Sequence, residues 1–273
     1  MNFRQSLPDI NRLSIISATI MLAFALTQLI SFPTQMFSFL VFGVLLEFPL
    51  NFGTVITFLT ALLAAAGIDW LIRSHPEREK YQHRLMYVRH WIVPVLTTLV
   101  IGVALNSFAG GVAWWVIFAL GSLLLMAVLV AEYNVVSADD VLHPLATVGL
   151  TGLSFALYLL LAFALYSAQL RLYLRIPLLG IGAMMVISRS FFLRLGQWHT
   201  LWAVVYSLII SEFAIGFNYL PLSPTQYSVL LVGVAYGLTS IFTAIKEARR
   251  GFSFWGEPIG MFLFMLVVSL FGR

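Results

Sequence analysis

Long apolar runs separated by short polar segments dominate the chain. The runs cover residues 13–32, 54–72, 91–105, 112–131, 145–166, 178–193, 201–219 and 227–245, with a shorter run at 259–271. Because a helix needs about 20 mostly apolar residues to cross a bilayer, each long run predicts a transmembrane helix. The last run spans only if Trp255 and Arg273 mark the two interfaces and the bilayer thins locally. The pattern predicts an all-α membrane protein, a bundle of about nine transmembrane helices (eight to ten) forming a single transmembrane domain over residues 1–273.

The segment at residues 34–53 follows a different period. Apolar side chains recur at every second position in two runs, Phe37, Phe39 and Val41 and then Phe48, Leu50 and Phe52, with Gly43 between them. A period of 2 is typical of β-strands. The apolar stretch of about 15 residues between Pro33 and Pro49 is also short for a bilayer core of about 30 Å. We therefore predict a short β-hairpin or re-entrant segment on the membrane surface, with a short spanning helix as the alternative.

Composition excludes a soluble protein. Hydrophobic residues make up 61% of the chain and charged residues 10%, whereas a soluble domain carries about 25% charged residues. The absence of cysteine excludes disulfides, thiolate metal sites and cysteine nucleophiles. The net charge of +4 is too small and too spread out to predict a nucleic-acid partner, so membrane lipids are the expected surroundings.

Lys and Arg predict the orientation, because they are enriched in cytoplasmic loops. The most basic polar segment, residues 73–90, is assigned as the main cytoplasmic loop. With the hairpin not spanning, 12 of the 15 basic residues lie inside and 3 outside, namely Arg171, Arg175 and Arg273. A spanning segment at 34–53 would give 10 against 5. The rule predicts a multi-pass plasma-membrane protein with a cytoplasmic amino terminus and an outer carboxyl terminus. Trp114 and Trp115 fall at an outer end, as interfacial aromatic residues do.

Several strings resemble an uncharacterised family of multi-span membrane proteins associated with Chloroflexota bacteria. They are DWLIRSHP at Asp69, RHWIVP at Arg89, AEYNVV at Ala131, LRLYL at Leu170 and YLPLSPTQY at Tyr219. The resemblance covers most of the chain. It implies a bacterial plasma-membrane protein of unassigned function and supplies no catalytic residue.

Glu212 and Arg189 form the candidate intramembrane polar site. Glu212 lies about seven residues from the outer end of its helix, and a carboxyl at membrane depth is costly. We expect Glu212 to face the bundle, within reach of a hydroxyl or amide of a neighbouring helix. Arg189 lies one to two turns inside the preceding helix, and we expect it to snorkel to cytoplasmic phosphates rather than pair with Glu212.

A second candidate site lies on the cytoplasmic side. All five histidines, His75, His83, His90, His143 and His199, fall there with Asp69, Glu132, Asp139 and Asp140. Asp69, Arg89, His90 and Glu132 form the candidate cluster. Imidazoles and carboxylates brought together can bind a metal or move protons. Their spacing matches no metal motif, so we favour solvated loop residues and helix caps as the explanation, and no metal or cofactor is predicted.

Three functions remain open at this point. Familiar catalytic signatures are missing, and the only late lysine, Lys246, lies at the helix edge, where a retinal Schiff base does not fit. The leading interpretation is a structural or accessory membrane protein without catalysis, with a possible protein partner in the membrane. The alternatives are a carrier or channel that uses Glu212 with Gln28, Asn106 and Asn218, and an enzyme that acts on lipid with the cytoplasmic cluster.

Overall fold

The structure is a computed structural model that describes residues 8–30, 33–41, 44–75, 88–108, 110–137 and 141–271. The predictions for Gly43, His83, Asp139, Asp140 and Arg273, and for most of the loop at 73–90, lie outside the described residues. In the described chain the helices are α1 (Ile10–Leu29), α2 (Phe52–Ile72), α3 (Ile92–Asn106), α4 (Val112–Asn134), α5 (His143–Ser167), α6 (Leu172–Leu195), α7 (Thr200–Asn218), α8 (Pro224–Lys246) and α9 (Phe252–Phe271).

The predicted fold class is confirmed. Within the described residues, eight helical segments are long and apolar enough to cross a membrane, and α9 adds a shorter apolar stretch, Phe254–Ser269. Two helices begin six or seven residues earlier than their apolar runs, whereas the others begin within three residues of theirs. The helix α6 begins at Leu172 rather than at residue 178, and α9 begins at Phe252 rather than at residue 259. Each early turn carries a charge and a proline, which made these residues resemble loops.

The hairpin prediction is also confirmed. Strands β1 (Gln35–Val41) and β2 (Val44–Leu50) pair antiparallel, with Phe37 opposite Phe48. Pro49 is tolerated because each strand of a two-stranded sheet is an edge strand. Met36, Phe37 and Leu40 are exposed although apolar, which suits a hairpin at a membrane surface better than one in water.

The chain forms two compact units, and unit 1 covers Met1–His143. In unit 1 the helix α2 packs against α1, α3 and α4, and α1 also contacts α4. A Cβ on Gly67 of α2 would lie 2.6 Å from Cγ2 of Ile16, so glycine is needed for α1 to approach this closely. The shared core includes Ile20 and Phe24 of α1, Ile68 of α2 and Leu129 of α4.

Trp114 corrects one detail of the sequence interpretation. Predicted as an interfacial residue, it is only 1% exposed and belongs to the core of unit 1. Its ring stacks on Phe118 at 5.2 Å between centroids. The neighbouring Trp115 is 57% exposed, as expected of an interfacial residue. Adjacent helical residues point about 100° apart, and here Trp114 faces the core whereas Trp115 does not.

Unit 2 covers Pro144–Arg273 and is organised around α8, which packs against α6, α7 and α9. The start of α8 is fixed by a capping box between Ser223 and Gln226. Gln226 has a second role, since its Nε2 donates to the backbone oxygen of Ser269 near the end of α9 at 2.9 Å. The side chain that caps α8 therefore also holds α9.

Many buried hydroxyls are satisfied within their own helices. Thr57, Thr97, Ser154 and Thr239 each donate to the carbonyl four residues earlier, at 2.7–2.8 Å. This bond removes the penalty for placing a hydroxyl in an apolar environment without a partner. These serines and threonines therefore have structural roles.

Candidate functional site

Three of the four predicted cluster residues, Arg89, His90 and Glu132, meet in unit 1. They lie where the start of α3 is next to the end of α4. His90 ends a single 3-10 turn, Val88–His90, just before α3, and Glu132 lies in the last turn of α4. The Nδ1 atom of His90 lies 2.8 Å from Oε2 of Glu132. Their side chains are 1% and 0% exposed. The pair joins two helices inside the unit.

Arg89 fixes the tautomer of this histidine. Its Nε–H donates to Nε2 of His90 at 3.1 Å. Because a guanidinium can only donate, Nε2 accepts and carries no proton, so Nδ1–H donates to Glu132. A neutral imidazole thus stands between a cation and a carboxylate. Both of its nitrogens are hydrogen-bonded, and the bond to Glu132 links the turn before α3 to the end of α4.

Asp69 does not join this cluster through its side-chain contacts. Its carboxylate pairs with Arg73 on the following helical turn at 2.6 Å. Arg12 of α1 instead contacts the neighbouring Trp70, donating to its carbonyl at 3.0 Å and lying 5.1 Å above its ring. His75 packs edge-on against Tyr133. Within the described residues, no group of three or more His, Cys, Asp or Glu side chains is placed to hold a metal ion.

The prediction that Glu212 faces the bundle is wrong. Glu212 is exposed and forms no hydrogen bond or ion pair with any described residue. The buried face of α7 is formed by Ala203, Ser207, Ile210 and Ala214. Ser207 belongs to this buried face, whereas Glu212 lies on the other side of the helix.

The prediction for Arg189 is also wrong. Arg189 is 0% exposed, so it does not snorkel to a surface. Its guanidinium carbon lies 5.6 Å from the ring centre of Phe192, on the same helix. A buried Arg189 and an exposed Glu212 do not form the candidate polar site that the sequence suggested.

Arg175 has a local environment that sequence reasoning missed. It lies in the first turns of α6, is 6% exposed, and donates from Nη2 to Oδ1 of Asn218 at the end of α7. Its guanidinium carbon lies 4.8 Å from the ring centre of Tyr166 and 5.6 Å from that of Tyr227. The two rings stack on each other at 4.2 Å. The sequence showed only an arginine near a helix end, and the aromatic residues that surround it are distant in the chain.

Two cavities lie beside such polar side chains. One of about 310 Å³ is lined by Tyr166, Gln169, Leu170, Leu172, Arg175 and Asn218 in unit 2. The other, of about 380 Å³, lies in unit 1 beside Gln28, Thr34, Asn51 and Asn106. Asn51 and Asn106 already have structural roles, since Asn51 caps α2 and Asn106 donates to Thr57 at 3.2 Å. Only the unit 2 cavity contains a charged side chain.

Glu257 is a second residue that sequence reasoning missed. Its Oε1 accepts from Tyr236 at 2.6 Å and pairs with Arg194 at 3.0 Å, and its Oε2 pairs with Arg249 at 2.9 Å. The hydrogen bond that Arg249 donates to Glu257 raises the pKa of Arg249. Arg249 also pairs with Glu247 at 2.6 Å. This network fastens the start of α9 to α6 and α8.

Comparison with known proteins gives one match. A family model described as a protein of unknown function, DUF5656, matches residues 32–272. The chain matches none of the curated proteins and none of the solved structures. The matched range leaves out all of α1 and includes both strands and the remaining helices.

Proposed function

The chain belongs to the DUF5656 family of proteins of unknown function, and from its own residues we propose that it is an accessory membrane protein without catalysis. It binds another transmembrane protein through the exposed face of α7. The observation that carries this proposal is Glu212, an exposed carboxyl on an apolar helix with no described partner.

The position of Glu212 makes exposure to lipid costly. It lies three residues from Ile209, the middle of α7, which corresponds to about 4.5 Å along the helix axis. An ionised carboxyl near the centre of a membrane helix costs about 2.5–3.5 kcal/mol on insertion scales. A partner helix that supplies a donor at the same depth removes most of this cost.

The surroundings of Glu212 suit a closely packed helix. Leu208, Phe213 and Ile215 are exposed apolar residues on the same side. Gly216, one turn after Glu212, is exposed, and a Cβ built on it meets no atom within 4 Å. Small residues let membrane helices approach closely. We call Leu208, Glu212, Ile215 and Gly216 the α7 face. Gly216 leaves room on this face for a neighbouring helix, and the carboxylate of Glu212 requires a partner there.

The required partner carries a cation at membrane depth. Two copies of the α7 face related by a two-fold axis would place one carboxylate near the other, which is unfavourable. In the described part of this chain, the exposed Lys and Arg residues lie at helix ends or in loops, so a second copy offers no matching cation. A different transmembrane protein with a Lys or Arg in its helix fits the charge.

The same geometry supports this function over the two alternatives. A carrier that used Glu212 would place it beside a cavity, and Glu212 lines neither cavity described above. A lipid enzyme that used His90 would need an accessible ring nitrogen, whereas both nitrogens are hydrogen-bonded inside unit 1.

Photo-crosslinking tests the α7 face. A photoreactive amino acid placed at Leu208 or Ile215 should give one specific heterologous crosslinked product in native membranes. The same reagent at Leu123, an exposed leucine on α4, is the control and should give no such product. Mass spectrometry identifies the partner, which is then purified and reconstituted with the full chain.

Charge exchange makes this test decisive. Glu212→Lys should abolish binding of the purified partner, and a Lys→Glu or Arg→Glu change in the partner helix should restore it. Glu212→Gln should weaken binding by about tenfold, since a neutral amide keeps a hydrogen bond and loses the charge. Crosslinking of the α7 face only to a second copy of this chain, or to lipid alone, contradicts the proposal.

We also propose a bacterial plasma-membrane location with the amino terminus inside, supported by the distribution of 12 basic residues inside and 3 outside. Because the chain has no cysteine, any thiol labelling of a single-cysteine variant comes from the introduced residue. In intact cells, a membrane-impermeant thiol reagent should label cysteines at Ser38, Gln169 and Thr225. A cysteine at Gln197, an exposed residue between α6 and α7, should react only after the cells are permeabilised.

Two other labelling results would contradict the assigned orientation or the position of the hairpin. Labelling at Gln197 in intact cells together with protection at Gln169 and Thr225 would invert the orientation. Protection at Ser38 alone would remove the hairpin from the outer surface and leave the rest of the assignment intact.

A further inference from the structure

The unit 2 cavity contains a buried cation without a counter-charge. No described carboxylate forms an ion pair with Arg175. Asn218 accepts one hydrogen bond from a guanidinium that carries five N–H donors. The Nε atom is buried and has no hydrogen-bond partner among the described residues. Buried charges in proteins are normally paired, so the guanidinium of Arg175 is suited to an anionic ligand.

The aromatic rings hold the guanidinium in place without neutralising it. Tyr166 and Tyr227 lie within cation–π distance of Arg175. Both hydroxyls are committed elsewhere, since Tyr166 donates to the carbonyl of Leu222 at 3.3 Å and Tyr227 to that of Ala214 at 3.1 Å. The rings therefore fix the position of the charge and leave its donors for a ligand.

The backbone contributes to the same site. Leu172, the first residue of α6, lines the cavity, and no side chain caps this helix end at Arg171. The N-terminus of a helix has free N–H groups and a positive partial charge, which favours an anion. Gln169 is exposed and also lines the cavity, so the cavity reaches the surface. Because Asn218 uses its oxygen for Arg175, its amide nitrogen remains a donor.

We propose that this cavity, called the Arg175 cavity, binds a phosphate group through the guanidinium of Arg175 and the amide of Asn218. A guanidinium matches two oxygens of a phosphate with parallel hydrogen bonds. The volume of about 310 Å³ lies at the lower limit of small-molecule sites and suits a headgroup rather than a whole lipid. The phosphate belongs either to a phospholipid headgroup or to a dissolved phosphate compound.

Two variants test the site on the full-length protein in detergent. Arg175→Gln removes the charge. Asn218→Asp places a carboxylate against Arg175, and the resulting ion pair balances the positive charge of the guanidinium. This variant should therefore fold even if Arg175→Gln does not. Arg250→Gln removes one positive charge from an exposed loop residue and is the matched control.

Two probes separate the sources of the phosphate. Inorganic phosphate is titrated while the melting temperature is followed, and native mass spectrometry counts bound phosphatidylglycerol in mixed micelles. We expect at least one probe to bind the wild type and the Arg250→Gln control equally, and to bind Arg175→Gln and Asn218→Asp at least tenfold more weakly. Loss of bound phosphatidylglycerol alone assigns a lipid headgroup, and loss of the phosphate response assigns a dissolved compound. Equal binding of both probes by the wild type and Asn218→Asp, or binding of neither probe, overturns the proposal.

Discussion

His90→Leu is expected to lower the free energy of unfolding by about 3 kcal/mol. The substitution removes the Nδ1–H donor that lies 2.8 Å from a fully buried carboxylate of Glu132. Removing the donor to a buried carboxylate costs more than the bond itself stabilises, because the carboxylate then lacks this donor in a low-dielectric environment. Denaturation of the purified protein in detergent, followed by circular dichroism, measures the change.

Two control variants show whether the hydrogen bond is responsible. His90→Asn keeps a donor near the position of Nδ1 and should recover at least half of the loss. His199→Leu replaces a half-buried histidine that contacts the rings of Phe191 and Phe242, and it should change stability by less than about 1 kcal/mol. If His90→Asn and His90→Leu lose equal stability, packing rather than the bond to Glu132 explains the effect.

Trp114→Ala is expected to destabilise the protein by about 3–5 kcal/mol, the usual cost of truncating a buried aromatic side chain. Trp114 is among the largest fully buried side chains, and it stacks on Phe118 in the core of unit 1. The same denaturation experiment measures the loss. The adjacent Trp115→Ala is the matched control.

The pair of tryptophans gives a clear comparison because only one of them packs inward. Trp115 is 57% exposed, so its truncation should cost less than about 1 kcal/mol. Equal losses for the two variants would mean that Trp114 is not a core residue. A large loss for Trp115 alone would mean that Trp115, and not Trp114, packs inward.

Length and period were sufficient to predict the helices and the hairpin. A bilayer crossing requires about 20 apolar residues, and few other structures satisfy that pattern. The hairpin was recognisable because Phe37 and Phe39 alternate with polar or smaller positions, and because Pro49 interrupts a helix but not an edge strand. These are local constraints, and a sequence states them directly.

The faces of the helices were harder to predict. The argument for Glu212 assumed that this chain supplies its hydrogen-bond partner, whereas the carboxyl is exposed. Ser207 lies on the buried side of α7, but Glu212, five residues later, does not share that side. In a membrane, a polar side chain indicates that some partner is needed, and the sequence of one chain does not show which molecule provides it.

The most connected polar residues were missed for a related reason. Arg175 and Glu257 each lie close to a proline in the early turns of a helix, Pro177 and Pro258. Charge and proline together are typical of loops, so these residues were left outside the helices. Their partners, such as Tyr166 and Arg194, are distant in the sequence, and only the packing of the helices brings them together.

The attachment of α9 has a consequence for biosynthesis. Glu257 fastens the beginning of α9 to Arg194 and Tyr236, and Gln226 fastens its end. The ribosome completes α6 and α8 before α9. During synthesis, Arg194 therefore cannot form its ion pair with Glu257 until α9 has been made. A nascent unit 2 that lacks α9 therefore presents an unpaired arginine and an open face of α8, which membrane quality-control proteases can recognise. We therefore expect unit 2 to become resistant to degradation only after α9 has been inserted.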